Sequence, residues 1–427
     1  MKTNTVSKFL FGFVVLVAMA SCQDTVTETY YVNTPVYMTY DELRTSFKSG
    51  EAQEIIQSGK IYFKDDYIYV NEFQKGIHII DNSDPENPIN MKFIDIPGNV
   101  DLAIKGNILY ADSYVDLVSI DISDIENIVE VDRDTNIFPY IIPAYDDGIV
   151  EGIDQNQGVI IGYTVTERTY NVKDEGNYYN KFWYRGEIDV MYDGASGNPT
   201  SGSETSGTGG SMARFTLNQN YLYVVDNASL KLFNISQSDN PAFEKYIGIG
   251  WNIETIFPYQ DKLFIGSQTG MYVYSIQNPA NPQFLSEFRH ASSCDPVVVN
   301  GNYAYVTLRG GNLCGAIESQ LNVIDISTIE NPKLVATCLM EEPYGLGIDD
   351  SVLFVCDGNA GLKIYNAANP LEIDSHLLAS YPDNHAFDVI PLGDVLVMIG
   401  VDGLYQYDYS DLNNIRELSH IDIYGNQ

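Results

Sequence analysis

Gly76-Ile77-His78-Ile79-Ile80-Asp81 is a short apolar run that ends on a carboxylate, and variants of it recur along the chain. Leu117-Val118-Ser119-Ile120-Asp121, Leu321-Asn322-Val323-Ile324-Asp325 and Leu362-Lys363-Ile364-Tyr365-Asn366 have the same form. Runs rich in Ile, Val, Leu and Tyr and bounded by Gly, Asn and Asp read as strands. Each sits third in a fixed order. An apolar run leads to a turn such as Lys64-Asp65-Asp66 or Asn300-Gly301-Asn302, and a second run follows, such as Tyr67-Ile68-Tyr69-Val70. The third run ends on its polar anchor, and a fourth closes the unit.

The anchors are Asp81, Asp121, Asp193, Asn234, Ser275, Asp325, Asn366 and Asp408, spaced by 40, 72, 41, 41, 50, 41 and 42 residues. Four short strands repeating at this period predict an all-β chain folded as a β-propeller, whose closed ring removes sheet edges. Eight four-stranded blades are expected. The alternative is seven, with everything between Arg133 and Met212 an excursion. The two long spacings predict insertions near 164–186 and 309–320, each between the second and third strands of its unit and so on one face of the disc. Residues 194–211 are almost wholly Gly, Ser and Thr, which reads as a flexible loop.

Before the repeats, Lys2 and Lys8 precede an uncharged apolar run from Phe9 to Ala20. Twelve residues are too few to cross a bilayer core of ~30 Å, which needs roughly 20. Residues 1–21 therefore read as a signal peptide. Met19-Ala20-Ser21-Cys22 resembles a bacterial lipobox, which implies that Cys22 is acylated and holds the chain to a lipid bilayer. Residues 22–59 are expected to hold a disordered spacer to about Tyr37 and a short helix from Thr39, and residues 60–427 the propeller.

The full chain has 23 Lys and Arg against 58 Asp and Glu, a formal net charge of −35, which argues against nucleic acid as a partner. No metal loop of alternating acids and no His spacing suited to zinc is present, so neither metal nor cofactor is predicted. After Cys22 four cysteines remain. Cys294 and Cys314 both fall on the inserted face and are candidates for a disulfide, whereas Cys338 and Cys356 lie in apolar strands and read as buried thiols.

The third-strand runs resemble the LVIVD repeat, and the whole chain is similar to LVIVD-repeat β-propeller lipoproteins of outer-membrane bacteria. That resemblance implies a propeller anchored by lipid in the outer membrane, on its periplasmic or cell-surface face. It carries no catalytic residues.

Enzymatic propellers leave marks that are missing here. The chain has only Trp183 and Trp251 where quinoprotein repeats are rich in Trp, and it has no Asp box and no Gly-x-Ser-x-Gly elbow. The expected function is a non-catalytic binding module for protein, peptide or glycan. A hydrolase or lyase working at the channel mouth is the alternative, and a structural part of an outer-membrane assembly is a third reading. Candidate ligand-binding residues are Tyr178, Tyr179, Trp183 and Tyr184 in the first insertion. On the connections between blades they are Trp251, Asn252, His290, Glu341, Glu342, Tyr344, Asn384 and His385. An acid and a histidine converging within about 3 Å would favour the enzyme.

Overall fold

In a computed structural model of the chain, the described residues are 27–145, 148–171, 196–197, 207–289, 296–310, 318–382 and 384–424. They divide into two units, Met1–Tyr40 with Ile141–Val190 and Asp41–Tyr140 with Met191–Gln427.

In the second unit, consecutive antiparallel strands form four-stranded meanders over 58–95, 102–134, 215–248, 253–289, 297–339, 346–381 and 386–422, numbered here as blades 1 to 7. The first strand of each blade lies beside the first strand of the next, and that of blade 7 returns to blade 1. The ring is closed. Apolar clusters fill the spaces between neighbours, as where Ile61, Ile68, Val70 and Ile80 of blade 1 meet Ile390, Val397, Ile399 and Leu404 of blade 7. Both faces of each sheet are thereby covered.

The polar anchors have a single job in all seven blades. Each accepts a hydrogen bond from the backbone amide two residues ahead, at 2.9 Å for Asp81, 2.8 Å for Asp121, 3.0 Å for Asn234, 3.3 Å for Ser275, 2.8 Å for Asp325, 2.9 Å for Asn366 and 3.0 Å for Asp408. This side-chain-closed turn reverses the chain into the fourth strand, so a short acceptor is needed there once per blade. The blades are also tied laterally. Tyr110, Tyr223 and Tyr381 each donate a hydroxyl to a carbonyl of the next blade, at 2.8, 2.8 and 2.9 Å. At the seam between the last and first blades, the amides of Gln406 and Asn82 bond reciprocally at 2.9 and 2.7 Å.

The described residues thus hold eight sheets, of which seven are blades, the smaller of the two counts the repeats admit. The eighth sheet is three-stranded and belongs to the first unit. There Thr27–Met38 pairs antiparallel with Val159–Asn171 and parallel with Ile149–Val150. Two expectations are corrected here. Residues expected to form a disordered spacer are a strand, because their Thr, Val and Tyr find a partner of the same β-branched and aromatic composition far along the chain. Residues from Thr164 to Asn171 are that partner rather than the base of an inserted hairpin. The remainder of that insertion, with Tyr178, Tyr179, Trp183, Tyr184 and the expected anchor Asp193, lies outside the described residues, as does Cys22.

The short helix is Tyr40–Thr45, with Leu43 buried. Lys48–Glu51 then adds to the outer strand of blade 1 and covers its edge. Cys338 and Cys356 are buried free thiols. Cys294, Cys314 and His290 lie outside the described residues.

Candidate functional site

The centre of the ring is occupied by the chain itself. Thr208–Gly210 runs beside the first strand of blade 1, with Gly209 opposite Tyr62. The Gly207 amide bonds the Ile104 carbonyl of blade 2 at 3.1 Å. Ser211 then reaches the far side, where its hydroxyl accepts from the Leu346 amide of blade 6 at 2.7 Å and donates to Asp388 Oδ1 of blade 7 at 3.3 Å. The Ala213 carbonyl accepts from the Ile256 amide of blade 4, and the Arg214 amide returns to Asp101 Oδ2 of blade 2 at 2.5 Å. Eight residues therefore touch five of the seven blades. The end of the Gly-rich stretch is a fixed tie and not a flexible loop. A Cβ on Gly207 would run into the Tyr62 ring and the Phe63 carbonyl, so the smallness of this residue answers to space.

This tie carries buried charge. Lys60 bonds Asp101 at 2.8 Å. Asp388 is fully buried, and its Oδ2 has no hydrogen-bond partner. Burial pushes the Asp388 carboxyl well above the usual range, and it raises Asp112 to about 6 despite amide bonds from Val100 and Asp101.

At the face of blades 5 to 7 a second group assembles around Tyr344. It includes three of the residues expected from the sequence, Glu342, Tyr344 and His385. The fully buried Asp357 accepts from the backbone amides of Glu341 at 3.0 Å and Glu342 at 2.8 Å, and from Lys363 Nζ at 2.5 Å. It thereby fixes the chain on which Glu342 and Tyr344 stand. Glu342 Oε1 accepts from the Tyr344 hydroxyl at 3.0 Å, and its Oε2 from the Asn359 amide at 3.1 Å. Asn359 Oδ1 bonds His385 Nδ1 at 2.8 Å. The rings of Tyr344, His385 and Phe387 pack mutually, with centroids 5.0 to 6.0 Å apart, and the Arg309 guanidinium lies over Tyr344 at 4.1 Å. Asp357, Asn359, Phe387 and Arg309 were not singled out from the sequence. The signal for Asp357 was present, since Asp226 with Lys231 in blade 3 repeats its pairing with Lys363.

Other expected residues are placed elsewhere. Asn384 donates to the Tyr407 hydroxyl at 2.5 Å, a contact with a buried ring of blade 7. Glu341 is exposed, and it is its backbone amide that bonds Asp357. Trp251 is 78% exposed on the connection between blades 3 and 4, and Asn252 beside it bonds Gln268 at 2.7 Å.

Among the described residues, a buried acid–histidine pair is also accounted for. Glu72 lies 3.3 Å from His78, yet both are buried and Glu72 also accepts from the amides of Ile56 and Gln57 at 3.0 Å. Burial alone would raise the Glu72 carboxyl, but bonds from His78, Ile56 and Lys75 bring it down to about 2.

These shifts set the pH dependence of stability. Asp112 and Asp388 titrate higher in the fold than in the unfolded chain, so their contribution is complete below an unfolded value of about 3.9 and is lost as pH rises through their folded values. Glu72 and the anchors Asp81, Asp325 and Asp408, held low by hydrogen bonds from Ser83, Ser327 and Ser410, contribute above that value and lose it as pH falls. The melting temperature is expected to rise on acidification from pH ~7.5 to ~5 and to fall below pH ~4. Calorimetry across that range checks it, and a monotonic fall from neutrality would contradict it.

A closed ring of seven four-stranded meanders with a built face is a β-propeller. The LVIVD repeat model matches residues 49–95, which include blade 1, and 291–340, which include blade 5, so LVIVD repeats are present in these two blades of the propeller. Solved structures that resemble it include the computationally designed Ika8 protein, 12% identical over 88% of this chain and 91% of that one with a TM-score of 0.49. Hsv2p of Kluyveromyces lactis is 11% identical over 87% and 99%, with a TM-score of 0.48. BamB from Moraxella catarrhalis is 7% identical over 84% and 95%, with a TM-score of 0.45. No curated protein matches the sequence.

Proposed function

We propose that the protein is a non-catalytic binding module, tethered to the outer membrane through acylated Cys22, which takes a protein, peptide or glycan on the face of blades 5 to 7. The observation that carries this reading is the preorganised group around Tyr344. Every polar member is held by a named partner, and three of them, Glu342, Tyr344 and His385, come from connections between blades. Preorganised aromatic and polar groups lower the entropy cost of recognition. At this face the same geometry argues against acid–base catalysis. His385 is paired with the Asn359 amide and not with an acid, and the Glu72–His78 pair is buried in blade 1.

A peptide and glycan array probed with the purified protein and with Tyr344→Ala tests the reading. Ligands retained by the first and lost by the second support it, and retention that ignores Tyr344 overturns it. The tether rests on the sequence of the first 22 residues. No helix of the described residues is long and apolar enough to cross a membrane. Metabolic labelling with an alkynyl fatty acid is expected to mark the wild-type protein, and Cys22→Ser is expected to lose the label and leave the membrane fraction. A labelled Cys22→Ser protein would contradict the assignment.

A further inference from the structure

We infer that the ligand of this face presents a cationic guanidinium from a peptide, and that the protein's own Arg309 holds its place in the free molecule. The inference presupposes binding at Tyr344 and names the class of group bound there.

A guanidinium is already seated on the site. Arg309 Cζ lies 4.1 Å from the Tyr344 ring centroid, well inside the ~6 Å within which a cation is drawn to the negative face of a ring. The ring is presented for this. Phe387 meets it edge-on at 5.1 Å and fixes its plane, while its hydroxyl donates to Glu342 at 3.0 Å. Donation to a carboxylate leaves more electron density on the ring, which strengthens its hold on a cation. The carboxylate itself is the second recognition element. Each Glu342 oxygen accepts one bond, from Tyr344 or from Asn359, and each keeps a further lone pair that a planar fork of N–H donors can use.

Charge selects the same class. With 58 acidic against 23 basic residues, the protein draws cations and repels anions at long range. Two guanidinium groups cannot share one face of Tyr344, so the incoming one displaces Arg309. Arg309 begins the connection between the second and third strands of blade 5. Self-occupancy lowers the fraction of molecules ready to bind, and apparent affinity falls by that fraction.

The test uses the purified full chain in detergent micelles and two fluorescein-labelled pentapeptides, Gly-Gly-Arg-Gly-Gly and its counterpart with uncharged citrulline in place of arginine. By fluorescence anisotropy the arginine peptide should bind at least about tenfold more tightly. Arg309→Ala should tighten that binding about threefold or more, by removing the competitor. Glu342→Gln should weaken it about fivefold or more and flatten its salt dependence. Melting temperatures of these variants serve as the control for folding. Equal affinity for the two peptides, or weaker binding by Arg309→Ala, overturns the inference. If a glycan or neutral peptide is bound and lost in Tyr344→Ala while the arginine peptide shows no advantage, the cationic class fails and the binding face stands. If nothing bound depends on Tyr344, both fail.

Discussion

Replacing Ser211 with valine is expected to destabilise the propeller by about 2–6 kcal/mol, read as a lowered midpoint of urea unfolding. The hydroxyl accepts from the Leu346 amide across the ring, and it also donates to Asp388. Losing it strands a buried amide, which costs about 1–3 kcal/mol. The added methyl groups enter a site where Ser211 is 1% exposed and Met212 fully buried, and overpacking adds about 1–3 kcal/mol. Asp388→Asn provides the contrast. It keeps an acceptor for Ser211 and removes a carboxyl whose ionised form burial disfavours, so its midpoint should stay within about 1 kcal/mol of wild type. A Ser211→Val protein as stable as wild type would mean that residues 207–214 do not tie the blades together.

Tyr344→Ala is expected to weaken any ligand retained on the array by about thirtyfold or more, the ~2 kcal/mol of an aromatic hot spot. The change removes the ring under Arg309, the donor to Glu342 and the neighbour of His385 and Phe387 at once. Tyr344→Phe keeps the ring and loses the bond to Glu342, so its loss should be smaller. Trp251→Ala should change affinity by less than about twofold, although this side chain is the more exposed of the two and would be the first choice from composition alone. A larger loss at Trp251 than at Tyr344 would move the site to the connection between blades 3 and 4.

The repeat was legible because its cause is local. An anchor at the end of each third strand closes a turn on the amide two residues ahead, and that chemistry needs Asp, Asn or Ser at one position whatever surrounds it. Blade count was harder, because Asp193 has the right residue type and the right distance from Asn234, yet the chain before it is committed to a sheet with Thr27–Met38. That pairing joins segments more than a hundred residues apart, and no local pattern announces it. The end of the Gly-rich stretch misled for a related reason. Glycine serves flexibility and close approach alike, and only the Tyr62 and Phe63 atoms beside Gly207 distinguish the two. At the site, Glu342, Tyr344 and His385 were expected as loop residues between blades, but Asp357, which fixes the backbone beneath them, is buried and acts through its carboxylate on amides. Trp251 and Asn384 share the same kind of loop and are held elsewhere, which shows why position on a face does not by itself bring residues together.

The most direct test of the account is hydrogen–deuterium exchange on the purified protein with and without the tightest ligand from the array. Protection confined to residues 341–345, 357–360 and 384–387 is the predicted result. Protection confined to the anchor turns that follow Asp81, Asn234 or Asp325, at the opposite ends of the strands, would contradict it.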